Sequence, residues 1–221
     1  MLAPPITLRK RGLRDAMRPT LKRSFDIVVA SALLLCVLPA FAVISLAVAL
    51  DGGPVLYVHR RIGRGGRAFG CLKFRTMRPD ADRILAKLLA DDPAAMAEWQ
   101  TKRKLRRDPR VTNAGRFLRA TSLDELPQLW NVIRGDMSLV GPRPVMQEEL
   151  DEHYVPVAAA ADYLSLRPGI TGPWQVSGRS SIDYRQRVAM DVDYVRNLSL
   201  RRDIVLLAST VSAVLRGRGA Y

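Results

Sequence analysis

Cysteine and histidine are scarce, two of each in 221 residues. Cys36 lies in an apolar run and Cys71 in a basic stretch, and neither belongs to a pair with metal-ligand spacing. This pattern speaks against a zinc cluster or a disulfide framework and places the body in a reducing, cytoplasm-facing compartment. Aromatic residues make up only 6% of the chain, which leaves few stacking platforms for single-stranded nucleic acid. Acidic residues are also in short supply: 21 Asp and Glu face 35 Lys and Arg, for a formal charge of +14. A surface of that sign suits polyanions, whether nucleic acid, anionic lipid or phosphorylated small substrates. Hydrophobic residues, at 48%, suffice for one domain with its own core.

The most conspicuous absence is local. No charged residue occurs between Ile27 and Leu50. A helix of that length extends about 36 Å, enough for a bilayer core of about 30 Å. A soluble core helix or a cleaved signal, with Ala47-Val48-Ala49 mimicking the cleavage site, is the alternative. The upstream flank carries Arg9, Lys10, Arg11, Arg14, Arg18, Lys22 and Arg23 against Asp15 alone. The downstream flank carries Arg60, Arg61, Arg64, Arg67, Lys73, Arg75 and Arg78 before Asp80. Both flanks therefore favour the cytoplasmic side. Pro39, near the middle, lacks the helical N–H donor and predicts a kink or break. Charge and proline alone leave a re-entrant helix–break–helix and a kinked span both open.

Beyond Asp51-Gly52-Gly53-Pro54 the pattern predicts a strand at Val55–Val58, a Gly63–Gly66 turn and a second strand from Phe69 to Met77. Ile84, Leu85, Leu88 and Leu89 fall at helical spacing, and Pro93 restarts the pattern. Leu129, Trp130, Val132 and Ile133 read as a helix face ended by Gly135. Gly141–Pro144 and Arg167–Pro173 read as rigid loops. Leu198–Leu215 is amphipathic and suits either the core or a membrane surface.

Asp124-Glu125 is the strongest candidate for chemistry. Arg116, Arg119, Arg134 and Arg143 lie nearby in sequence, a setting expected to lower carboxylate pKa values. Ionised carboxylates beside cations can hold Mg²⁺ or attack phosphorus. A plain structural alternative stands beside this: Ser122-x-x-Glu125 matches a capping box. Pro127 argues against that register, and a later helix start would leave the pair in or just before its first turn.

The string Thr121-Ser122-Leu123-Asp124-Glu125-Leu126-Pro127-Gln128-Leu129-Trp130-Asn131-Val132, followed by Gly135-Asp136-Met137-Ser138-Leu139-Val140-Gly141-Pro142-Arg143-Pro144, resembles the bacterial sugar transferase family. Its members are monotopic polyprenyl-phosphate phosphoglycosyl transferases. Further matches are Lys22-Arg23-x-x-Asp26, Lys73-Phe74-Arg75-Thr76-Met77, Asp108–Thr112, Arg167–Gly172 and Gln175-Val176-x-Gly178-Arg179. The resemblance runs from about Leu21 to the C-terminus and is to the minimal form of the family. It implies an α+β fold: a basic flank over 1–23, a re-entrant membrane helix over 24–51 kinked at Pro39, and a catalytic domain with amphipathic surface helices over 52–221.

By the same resemblance Asp124 is the nucleophile on a nucleotide-diphosphate sugar, most simply a UDP-sugar, and Glu125 holds Mg²⁺ beside it. Lys73, Arg75, Arg119 and Arg143 are expected at phosphates, with Arg167 and Arg179 as further substrate-site residues. For each arginine a structural ion pair is the plain alternative. The acceptor implied is polyprenyl (undecaprenyl) phosphate, and the setting is the cytoplasmic face of a bacterial inner membrane, among anionic lipids, in exopolysaccharide or glycoconjugate synthesis. Assembly into a homo-oligomer is left open. Two rival classes are a basic nucleic-acid-binding protein, which would not need the apolar segment, and a non-catalytic membrane scaffold, which would not need the string around Asp124.

Overall fold

The computed structural model describes residues 13–102, 105–177 and 182–215. The uncharged, apolar stretch between Asp26 and Asp51 forms part of one long helix, and α1 runs over Leu13–Leu50. Its apolar part is covered on one face only. Asp26, Ala30, Ile44 and Val48 are buried, while Val28, Leu35, Val43 and Leu46 are 65–69% exposed. Such exposure excludes the core helix of a soluble protein and fits a segment whose outer face meets lipid. Its mean hydropathy reaches 2.8.

Helical structure continues through Pro39, where the sequence predicts a kink or break, so the chain does not break there. The missing N–H costs one hydrogen bond, and the neighbouring turns carry the helix past it. Both halves nevertheless dock on the same body. In the first half Phe25, Val29 and Ala30 pack with Val132, Leu139 and Tyr194, and in the second Phe41, Ile44 and Val48 pack with Phe74 and Leu118. Leu38, Pro39 and Ala40, between the two, are exposed.

After α1 come the antiparallel strands β1 (Leu56–Ile62) and β2 (Ala68–Phe74), in register from Leu56 opposite Phe74 to Ile62 opposite Ala68. Gly65 and Gly66 turn the chain at φ of 69° and 77°, where a side chain would be strained. Strand alternation puts Tyr57, His59, Arg61, Cys71 and Lys73 on one face. Helices α2 (Ala81–Asp91) and α3 (Pro93–Lys102) precede α4 (Asn113–Thr121). Thr112 caps α4 by accepting from the Gly115 N–H at 2.9 Å. A Cβ on Gly115 would lie 2.1 Å from the Thr76 carbonyl oxygen, so only glycine lets α4 approach the end of the hairpin this closely.

Helix α5 (Gln128–Arg134) ends at Gly135, whose φ is 103°. Then follow β3 (Ser138–Val140), α6 (Gln147–Glu149) running into a π-turn at Leu150–Tyr154, α7 (Ala160–Ser165), and β4 (Gly169–Thr171), which pairs parallel with β3. The last three helices are α8 (Pro173–Ser177), α9 (Tyr184–Arg196) and α10 (Leu200–Leu215). The α+β class expected from sequence is the class observed. The β3–β4 pairing was not anticipated, because three residues paired across thirty carry no periodic signal.

Polar side chains fasten α1 at both ends. Lys22 donates to Asp203 on α10 at 2.7 Å, and Asp26 accepts from the Ser138 hydroxyl at 2.7 Å. Tyr194 donates to the other oxygen of Asp203 at 2.6 Å. Arg23 donates to the Val132 and Ile133 carbonyls at the end of α5. At the far end Arg75 donates to the carbonyls of Val48, Pro54 and Met77 at 2.9, 2.7 and 3.1 Å. A cation placed on a carbonyl of the last turn, here Val48, adds to the bonding of an acceptor that has no partner within the helix. Arg75→Met should therefore destabilise the protein by about 3 kcal/mol, through the loss of three charge-assisted bonds at a buried site. Thermal unfolding in one detergent, against Arg60→Met on the exposed strand face as control, checks this. Equal melting of the two variants would refute the anchoring role.

Candidate active site

Asp124 and Glu125 lie in a 3-10 turn, Leu123–Glu125, between α4 and α5. Ser122 ends α4 in the left-handed region at φ 59° and makes no side-chain cap. The capping-box alternative is thereby corrected: Pro127 delays the next helix to Gln128, and the pair stands just ahead of α5. Leu123 and Leu126, on either side of the pair, pack into the cluster of Ile44, Val48, Phe74 and Leu118. The second half of α1 therefore buttresses the turn directly.

Lys73 on β2 meets the turn from below, with Nζ 2.6 Å from Glu125 Oε1 and 3.9 Å from Asp124 Oδ2. Asn131 fixes this approach. Its Oδ1 accepts from the Leu72 N–H at 2.9 Å and its Nδ2 donates to the Gly70 carbonyl at 2.8 Å, tying α5 to β2 on both sides of Cys71. The cleft beside the pair is lined by Arg61, Lys73, Glu125, Gln128 and Arg143. Buried Gln128 and Asn131 were not singled out from sequence, although both stand in the string around Asp124. Polar residues on a helix face otherwise read as core were the available signal.

The expected lowering of the carboxylate pKa is corrected at Asp124. Burial outweighs the attraction of Lys73, the neighbouring Glu125 charge adds to the effect, and the carboxyl is pushed up to about 6. Two of the arginines assumed to surround it are engaged elsewhere. Arg116 bonds Asn113, and Arg134 pairs with Asp136. Arg119 is closer: its Nε donates to Thr76 Oγ1 at 2.9 Å, and its charge acts on Asp124. Cys71, below Lys73, is pushed up to about 11 by burial and offers no thiolate at neutral pH.

The other residues named from sequence separate clearly. Arg143 lines the cleft and lies over the Trp174 ring at 5.3 Å. Arg75, expected at phosphate, is instead 7% exposed with its guanidinium on three carbonyls. Arg167 donates Nε to the Gly135 carbonyl at 2.7 Å, at the end of α5. Arg179 lies outside the described residues. For the Mg²⁺ implied above, Asp124 and Glu125 present hard, partly accessible carboxylate oxygens, with side chains 13% and 24% exposed. That set fits a cation held by one or two carboxylates together with water and phosphate oxygens, not a closed protein cage.

The family model described as bacterial sugar transferase matches residues 17–217. The chain is 51% identical over 201 residues to the exopolysaccharide production protein ExoY of Sinorhizobium fredii, covering 90% of this chain and 88% of that protein. It is 50% identical to a UDP-galactose-lipid carrier transferase of Erwinia amylovora, covering 91% of this chain but 42% of the relative's length. A UDP-glucose:undecaprenyl-phosphate glucose-1-phosphate transferase of Caulobacter vibrioides is 39% identical, covering 98% of this chain and 78% of the relative. With the family model matched across nearly its whole length, this chain belongs to the bacterial sugar transferase family.

Proposed function

We propose that the protein transfers a sugar-1-phosphate from a nucleotide-diphosphate sugar, a UDP-sugar by analogy with its relatives, to undecaprenyl phosphate, and so begins an exopolysaccharide chain. One observation carries this reading: a half-buried carboxylate, Asp124, 3.9 Å from Lys73 and next to Glu125, which lines a cationic cleft with Lys73, Arg61 and Arg143, on a turn braced by the apolar helix. The Erwinia amylovora relative named for UDP-galactose and the Caulobacter vibrioides relative named for UDP-glucose and undecaprenyl phosphate support the substrate classes.

In the first half-reaction an Asp124 carboxylate oxygen attacks the sugar-bearing phosphorus. A new O–P bond forms as the P–O bond to the nucleotide's phosphate breaks, and nucleoside monophosphate leaves. In the second, an oxygen of the lipid phosphate attacks the same phosphorus, the Asp124–P bond breaks, and polyprenyl-diphosphate-sugar is released. Lys73 and Arg143 neutralise charge on the phosphates where water would otherwise do so. Asp124 and Glu125 would hold Mg²⁺, which when bound neutralises phosphate oxygens and favours the leaving group.

Asp124→Asn should reduce nucleoside monophosphate release to background and prevent labelling by donor carrying a radioactive β-phosphate. The charge at this site also opposes folding. A carboxyl raised in the folded state favours the fold while protonated, and that advantage disappears as pH rises through about 6. The same variant should therefore be more stable at pH 8, by on the order of 1–3 kcal/mol, while the wild-type rate falls as pH drops below about 6. Robust turnover by Asp124→Asn would end the covalent proposal.

Chelation of divalent metal should stop turnover and added Mg²⁺ should restore it. Full activity in excess chelator would remove the metal from the mechanism.

We place the body and both ends of α1 on the cytoplasmic face of the inner membrane, because one folded body binds both ends of the helix. Single cysteines at Leu21 and Arg67, in a Cys36→Ser, Cys71→Ala background, should react from the same side with a reagent that cannot cross the membrane. Labelling from opposite sides would make α1 a conventional span.

A further inference from the structure

Beyond Arg143 the cleft adjoins a cluster that the transfer chemistry above leaves unused. The guanidinium of Arg187, on α9, lies 4.7 Å from the Trp174 ring centroid and 4.6 Å from that of Tyr184. Arg143 lies over the same indole. Arg187 is only 6% exposed, yet its Nε and Nη2 have no hydrogen-bond partner among the described residues, and neither does Trp174 Nε1. All three groups are donors, with no acceptor capacity of their own. Asp191, one helical turn along, and Glu149 both feel the Arg187 charge, but neither bonds its Nε or Nη2: Asp191 Oδ2 accepts from the Tyr154 hydroxyl at 2.7 Å, its Oδ1 is unpartnered, and Glu149 pairs with Arg61. A buried guanidinium with unmet donors is stabilised by an anion that brings acceptors, and its planar fork matches phosphate oxygens.

The position of the cluster decides which phosphate that is. Lys73 sits at the α1 end of the hairpin, next to Phe74, whose ring lies 4.6 Å from that of Phe41. Arg61 is opposite Phe69 on the same face, four residues along β2 from Lys73 and so about 13 Å away. Arg61 pairs with Glu149 at 2.8 Å, and Glu149 accepts from the Tyr184 hydroxyl at 3.0 Å, which ties this far end to α9. The hydrophobic cluster beneath it, with Ile62, Tyr154 and Val188, contains no residue of α1. A lipid acceptor must approach from the α1 side, whereas a water-soluble donor can occupy the opposite end. With guanidinium groups already on its ring, Trp174 is not a free platform for a base.

We infer that Arg187 and Arg143, stacked on Trp174 and joined by its Nε1–H, seat the departing phosphate of the donor, the one that leaves as nucleoside monophosphate. This assignment rests on the proposed transfer reaction and adds to it a binding site for the leaving group, separate from the attacking carboxylate.

The test uses full-length protein in detergent, with uridine 5′-monophosphate as product inhibitor and with donor and acceptor varied independently. Arg187→Gln should raise both the donor KM and the inhibition constant of the monophosphate about tenfold or more, the loss expected for charge-assisted bonds, and leave the acceptor KM unchanged. Trp174→Phe keeps the ring but removes the Nε1–H, and should raise the same two constants about fivefold. It decides the question if Arg187→Gln does not fold. Lowered melting temperature with unchanged constants in a folded variant would overturn the seat in favour of a structural role. A rise in acceptor KM alone would overturn it in favour of the lipid phosphate. Absence of monophosphate release by the wild type would instead refute the transfer reaction, and calorimetric binding of the monophosphate to wild type and Trp174→Phe would still decide the seat.

Discussion

Attachment of one apolar helix to one body at both its ends is the constraint on which the rest depends. At the first end the contact is ionic and buried: Lys22 lies between Asp26 and Asp203, with Ser138 and Tyr194 completing the carboxylates' bonds. Buried charges are tolerable only when paired and hydrogen-bonded in this way, and loss of one partner strands the others. At the second end Arg75 holds the Val48 carbonyl in the last turn while Ile44 and Val48 fill the space beside Phe74 and Leu118. Leu123 and Leu126 enter that same cluster, so the geometry of the carboxylate turn follows from how α1 docks. The proposed reaction, which joins a water-soluble donor to a lipid phosphate, would need its nucleophile at such a boundary.

Arginine performs two kinds of work here. Arg23, Arg75 and Arg167 end on backbone carbonyls at the ends of α1 and α5 and in adjoining loops. Arg143, which lines the cleft, and the buried Arg187 behind it lie on the Trp174 ring. Composition treats all of them as positive charge. The planar fork of the guanidinium suits carbonyl clusters and phosphates equally well, so only the fold tells the two uses apart.

Local features were legible in the chain. The hairpin announced itself through alternating strands around Gly65 and Gly66, and the ends of α5 through Pro127 and Gly135. Asp124-Glu125 stood out through adjacency and context. What escaped reading depends on distance or burial. Asn131 acts by reaching the backbone of β2, some sixty residues earlier. Arg75 depends on where Val48 ends its helix. The direction of the Asp124 shift required knowing that desolvation exceeds the pull of Lys73, and nearby charges in sequence pointed the other way because Arg116 and Arg134 find partners elsewhere.

That reversal bears on the chemistry. A carboxylate held low by many cations would be stable but a poor nucleophile, since the charges that keep it ionised also withdraw its electron density. Asp124 is closer to the opposite limit. Burial lifts it to about 6, high enough to make it more basic than an exposed aspartate and low enough to leave it ionised at neutral pH. Lys73 is the adjustable part, because its shorter contact is with Glu125 and its longer one with Asp124. In the proposed reaction a diphosphate in the cleft would share that ammonium, so Lys73 would bridge the phosphates and the carboxylate pair while its remaining pull keeps Asp124 from rising further.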